Sequence, residues 1–113
     1  MQPAAALEPH RSFRVDRDVR GTTQIVTVHG DVDIAGREAL TDVLHRAIGL
    51  LPARVVVDMT GTTFMDSSGV RCLVRAHKHA DARQVDLVVI PGPPAARRVL
   101  ALCGADRQLH LAG

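Results

Sequence analysis

The sequence predicts a single α/β domain built on a mixed β-sheet, parallel in its centre and antiparallel at an edge hairpin, with helices packed on it. Three observations predict this. The chain has 113 residues, enough for one hydrophobic core and too few for two. Short β-branched runs at 24–30, 54–59 and 85–90 alternate with segments whose apolar residues recur at helical spacing. Strands joined through helices form parallel sheets with right-handed crossovers, whereas strands joined by a tight turn pair antiparallel.

Residues 1–11 mix Pro, Ala, Glu and Gln without periodicity and read as a flexible tail, so the domain is assigned to 12–113. From Phe13 to Val19 the chain begins with alternation and ends in charge, Gly21 punctuates it, and 24–30 follows as a second strand. This reads as a hairpin whose charges discourage pairing with another chain. After Asp31 and Asp33, expected in a turn, Leu40, Val43, Leu44, Ala47 and Ile48 recur at i, i+3, i+4, i+7 and i+8. That is a helix over about 35–49 burying one stripe, closed by Pro52.

The run 54–59 lacks alternation and reads as a central strand covered on both faces. A Thr-rich loop is expected at 60–66. A second helix starts at Ser67 and buries Val70, Leu73, Val74 and His77. A strand at 85–90 leads through Pro91-Gly92-Pro93-Pro94 into a third helix, with Pro where the first turn needs no amide donor and Gly104 where the helix stops. Its expected buried stripe is Ala96, Val99, Leu100 and Cys103, and a short strand at 108–111 ends the sheet. The order is thus β β α β α β α β.

Composition narrows the function. With 14 basic against 12 acidic residues the net charge is +2, without the dense positive field that a nucleic-acid backbone requires. There is no Trp or Tyr on which bases could stack. No apolar run approaches the roughly 20 residues of a membrane span, and the N-terminus lacks a basic start followed by a hydrophobic stretch. A cytoplasmic protein without membrane insertion is expected. Cys72 and Cys103 lie far apart without a paired motif and are expected to be buried small hydrophobes.

The most informative segment is Asp66-Ser67-Ser68-Gly69, where a strand passes into a helix at the carboxyl edge of the sheet, the edge at which sites of open α/β sheets gather. Asp and Ser are preferred helix caps, so capping alone accounts for one acceptor here. A second serine is more hydroxyl than a cap requires. A phosphate on Ser67 would meet the helix amides favourably while standing beside Asp66, turning a small neutral group into one of charge near −2. A partner packed against that spot would face repulsion and desolvation, so phosphorylation acts as an off switch. Arg71, four residues on, is within reach of such a phosphate or of a partner carboxylate.

The run from Val55 to Met59 and on through Thr62-Thr63-Phe64-Met65-Asp66-Ser67-Ser68-Gly69-Val70 resembles the signature of STAS-domain anti-sigma factor antagonists. Gly30-Asp31-Val32-Asp33 resembles the same family's Gly-acidic-hydrophobic-Asp element, and the likeness continues through Leu102-Cys103-Gly104, over about 12–111. The resemblance implies a bacterial regulator of transcription acting in stress responses through a sigma factor. It implies that Ser67 is the phospho-acceptor, and that the kinase is the anti-sigma factor itself. The unphosphorylated form then binds that anti-sigma factor and releases a sigma factor, and a separate serine phosphatase resets Ser67. Asp33 matches a partner-surface residue, and Asp66, Ser68 and Gly69 match the rest of the turn. One departure stands out: the family's usual further helix after the last strand has no room before Gly113.

Other readings were weighed against this one. His77 and His79 point roughly 200° apart on a helix and do not share a metal. Asp31, Asp33 and Asp66 are expected to cap rather than hold Mg²⁺, since Asp58 lies within its strand. The turn lacks a Gly-x-Ser-x-Gly elbow and no His falls on another carboxyl-edge loop, so no enzyme activity, catalytic residue or cofactor is expected. The alternative is a STAS-type accessory subunit of a membrane transporter without phospho-regulation. A nucleotide-binding module ranks last, for want of a Gly-rich phosphate loop and an aromatic base slot.

Overall fold

The structure of the protein, a computed structural model, describes residues 13–112. The expected tail at 1–11 lies outside the described residues. The chain forms β1 (Arg14–Arg20), β2 (Thr23–Val32), α1 (Ile34–Gly49), β3 (Arg54–Met65), α2 (Ser67–Ala82), β4 (Asp86–Ile90), α3 (Pro94–Leu102), a 3-10 turn (Ala105–Arg107) and β5 (His110–Leu111). Strand order is β1-β2-β3-β4-β5, with β1 antiparallel to β2 and all other neighbours parallel. This is the single mixed α/β sheet expected from the sequence, with the 3-10 turn as an addition.

Sequential strand order decides where the core sits. Each parallel strand is added on the same side of the last, so right-handed crossovers through α1, α2 and α3 all fall on one face. On that face Val26 and Val28 of β2, Val55, Val57 and Met59 of β3, and Leu87 and Val89 of β4 are buried against Leu40, Leu44 and Ile48 of α1. Leu73 and Ala76 of α2 and Leu100 of α3 complete the layer. The opposite face carries Ile25, Thr27, Val56 and Asp58, none of them fully buried. The expectation that β3 is covered on both faces is therefore wrong: its residues 54–59 alternate between buried and partly exposed, with small β-branched side chains on either side hiding the alternation.

The expected loop at 60–66 is also corrected. β3 runs on to Met65, paired with β2 to its last residue Val32. Two irregularities, between Thr27 and His29 and between Gly30 and Asp31 of β2, each insert one extra residue into β3. The buried positions accordingly fall at Val55, Val57, Met59, Thr62 and Met65, and a spacing of two gives way to three. Asp31, expected in a turn, is instead a buried strand residue whose carboxylate accepts from the Thr63 hydroxyl at 2.5 Å. Cys72 is buried as expected, but Cys103 is exposed, because α3 ends at Leu102 and leaves Cys103 as its C-cap. Gly104 follows at φ 71°, the left-handed conformation that turns the chain.

Candidate functional site

Val32 and Met65 are partners in the β2/β3 ladder. The residue after each, Asp33 and Asp66, caps the helix that follows, so two acid-capped helix N-termini stand side by side at the carboxyl edge of the sheet. The Asp33 carboxylate accepts from the Gly36 amide at 3.1 Å. The Asp66 carboxylate accepts from the amides of Ser68 at 3.0 Å and Gly69 at 3.1 Å, and from the Ser68 hydroxyl at 2.6 Å. The Ser68 hydroxyl bond holds the Asp66 carboxyl below its ordinary value; burial pushes the other way, and the Gly69 and Ser68 amides add to the lowering.

This arrangement separates the two serines. Ser68 is half-buried and its hydroxyl is committed to Asp66. Ser67, the first residue of α2, is exposed, and among the described residues its hydroxyl makes no hydrogen bond. Because Asp66 already serves the cap, Ser67 is left free.

Gly69 allows the close approach of α2 to the strand ends. A β-carbon there would stand 2.7 Å from Met65 Cγ and 3.1 Å from Val32 Cγ1. Arg71, one turn beyond Ser67 and exposed, borders with it a recess of about 440 Å3 that also includes Val74 and Gln108. The sequence-predicted Asp66, Ser67, Ser68, Gly69 and Arg71 thus occupy one turn and a half of helix, and Asp33 lies on the neighbouring N-terminus.

Two residues of this edge were not singled out from the sequence. Ile34, at the α1 position that Ser67 holds in α2, is 64% exposed, and Phe64, two residues before Asp66, is 52% exposed. An available signal was the repeated Asp-x-x-Gly pattern, which places Ile34 opposite Ser67. His79, expected to be solvated, is instead stacked on His45 with ring centroids 4.6 Å apart. Among the described residues no helix is long and apolar enough to cross a membrane.

Comparison with known proteins follows the same outline. The family model described as STAS domain matches residues 14–112. The STAS-domain containing protein PA14_20770 of Pseudomonas aeruginosa is 26% identical over 77% of this chain and 85% of its own. An anti-sigma factor antagonist from Mycobacterium paratuberculosis superimposes with a TM-score of 0.81 at 23% identity, covering 88% of this chain and 85% of that one. The Bacillus cell fate determinant SpoIIAA in its phosphorylated form gives 0.67 at 20% identity, covering 90% and 92%.

Proposed function

The chain belongs to the STAS domain family, and on that premise we propose that it is an anti-sigma factor antagonist switched off by phosphorylation of Ser67. The observation that carries the reading is the freedom of the Ser67 hydroxyl at the start of α2, beside an Asp66 that does the capping alone. A protein of the same fold, SpoIIAA, has been seen phosphorylated, which supports the reading.

In this reading the unphosphorylated chain acts by binding, not by catalysis, in the cytoplasm. Ser67, Asp33, Ile34 and Phe64 form the face offered to an anti-sigma factor with serine-kinase activity, and a sigma factor is released in exchange. A phosphate on Ser67 introduces charge near −2. The α2 amides and Arg71 stabilise it in place, so the fold persists while the partner meets repulsion and an ion it must desolvate. A serine phosphatase restores the binding form.

The test begins with intact mass and phosphopeptide mapping of protein taken from its own cells. An added phosphate on Ser67, absent from Ser67→Ala, is expected. Purified anti-sigma factor is expected to bind wild type and Ser67→Ala alike and to lose Ser67→Glu. A Ser67 that stays unmodified through growth and stress, with the partner still bound, overturns the switch.

A further inference from the structure

A second concave site lies along the flanks of α1 and α2, a cleft of about 450 Å3 that the Ser67 switch does not use. Arg37, Thr41 and His45 of α1, at i, i+4 and i+8, face Arg71, Cys72 and Arg75 of α2 across it. Every charged side chain in its wall is basic. Glu38 and Asp42 each follow a cleft residue by one position, and a rotation of about 100° carries them off the facing row. Among the described residues none of the three guanidinium groups makes a hydrogen bond or ion pair.

The floor is neutral. The Cys72 thiol lies 3.1 Å from the Thr41 hydroxyl. Burial pushes the thiol up, against Thr41 and the positive fields of Arg37 and Arg75, which converge on it from opposite walls. The cleft thus offers three guanidinium forks, an imidazole and two hydroxyls, with no acid to answer them. Its volume falls in the range of small-molecule pockets, about 300–1,000 Å3.

We propose that this cleft binds a small multivalent oxyanion, phosphoryl or carboxylate, clamped between Arg37 on one wall and Arg71 and Arg75 on the other. Guanidinium groups on both walls favour an anion with at least two charged groups over a single monovalent one. Arg71 borders both the cleft and the Ser67 recess, so occupancy and Ser67 phosphorylation compete for one side chain. That competition rests on the switch reading; occupancy of the cleft does not.

Calorimetric titration of the full chain with pyrophosphate, and separately with citrate, tests it. Saturable one-to-one binding is expected with Kd below about 1 mM, weakened roughly tenfold or more by Arg37→Gln and by Arg75→Gln and unchanged by Arg98→Gln on α3. Tighter binding of pyrophosphate assigns a phosphoryl ligand, and tighter binding of citrate a carboxylate one. Circular dichroism of each variant confirms folding, and the thermal midpoint of wild type, but not of Arg75→Gln, rises with ligand. No saturable binding of either anion up to about 10 mM, or binding indifferent to both substitutions, overturns the site.

Discussion

The turns Asp33-Ile34-Ala35-Gly36 and Asp66-Ser67-Ser68-Gly69 are two uses of one device. Each follows a strand end on the same rung of the ladder, caps its helix with aspartate, and places a glycine at the third helical position. Each glycine amide donates to its aspartate at 3.1 Å, and each glycine sits where a β-carbon would crowd its neighbours, Phe13 at 2.8 Å from Gly36 and Met65 at 2.7 Å from Gly69. Architecture therefore accounts for the acid and the glycine at both turns. What it leaves over is the pair between them, apolar in one turn and hydroxylated in the other. Function is to be sought in that difference, and of the two hydroxyls only that of Ser67 is uncommitted.

The largest effect expected from breaking the shared device is overpacking. Gly69→Val and Gly36→Val should each cost about 1–3 kcal/mol in chemical denaturation. Gly69→Val is expected to be the worse, because it meets the buried Met65 and Val32, whereas Phe13 is only half-buried. A Gly69→Val variant as stable as wild type would remove the close-approach argument. Next come the caps: Asp66→Ala should cost about 1–2 kcal/mol and Asp33→Ala about 1 kcal/mol. Urea midpoints measure both, and an unchanged midpoint for Asp66→Ala would break the equivalence of the two turns.

The serines sharpen the contrast. Ser68→Ala should cost about 0.5–1.5 kcal/mol, the Asp66 bond being lost, whereas Ser67→Ala should stay within about 0.5 kcal/mol of wild type. The reverse order would assign the structural role to Ser67. The smallest effect concerns acid. The Asp66 carboxyl is held below its ordinary 3.8 in the folded protein. Its contribution is therefore complete above that value and lost as pH falls through the depressed one. Asp66→Asn, which keeps a capping oxygen, should flatten the fall in thermal midpoint below about pH 4 and leave neutral pH nearly unchanged. An unaltered acid limb would show that the bonded carboxylate is not what stabilises the turn.

Much of this was legible before any coordinates. The helix stripe from Leu40 to Ile48, the start of α2 at Ser67 and the order of the strands follow from periodicity and caps, which are local properties. The rest depended on relations between segments. The extension of β3 was hidden because its buried side chains space by three after Met59, so no alternation marks Thr62 and Met65 as strand. Asp31 looked like a turn residue because its partner, the Thr63 hydroxyl, is 32 positions away. The uncovered face of the sheet follows from strand order, and Ile34 and Phe64 betray their exposure only once neighbours fail to cover them. The basic cleft was invisible for the same reason: Arg37 and Arg75 meet across two helices.

The two extra residues in β3 carry an evolutionary consequence. One inserted residue turns every following side chain to the other face of a strand, and a second turns it back. Between Met59 and Met65 the chain is therefore free to exchange one small polar residue for another but not to change its length by one. A single deletion would point Met65 away from the core and slip Asp66 off the rung it shares with Asp33. Among descendants of this gene, Thr60 to Thr63 should drift in identity while gaps there are purged.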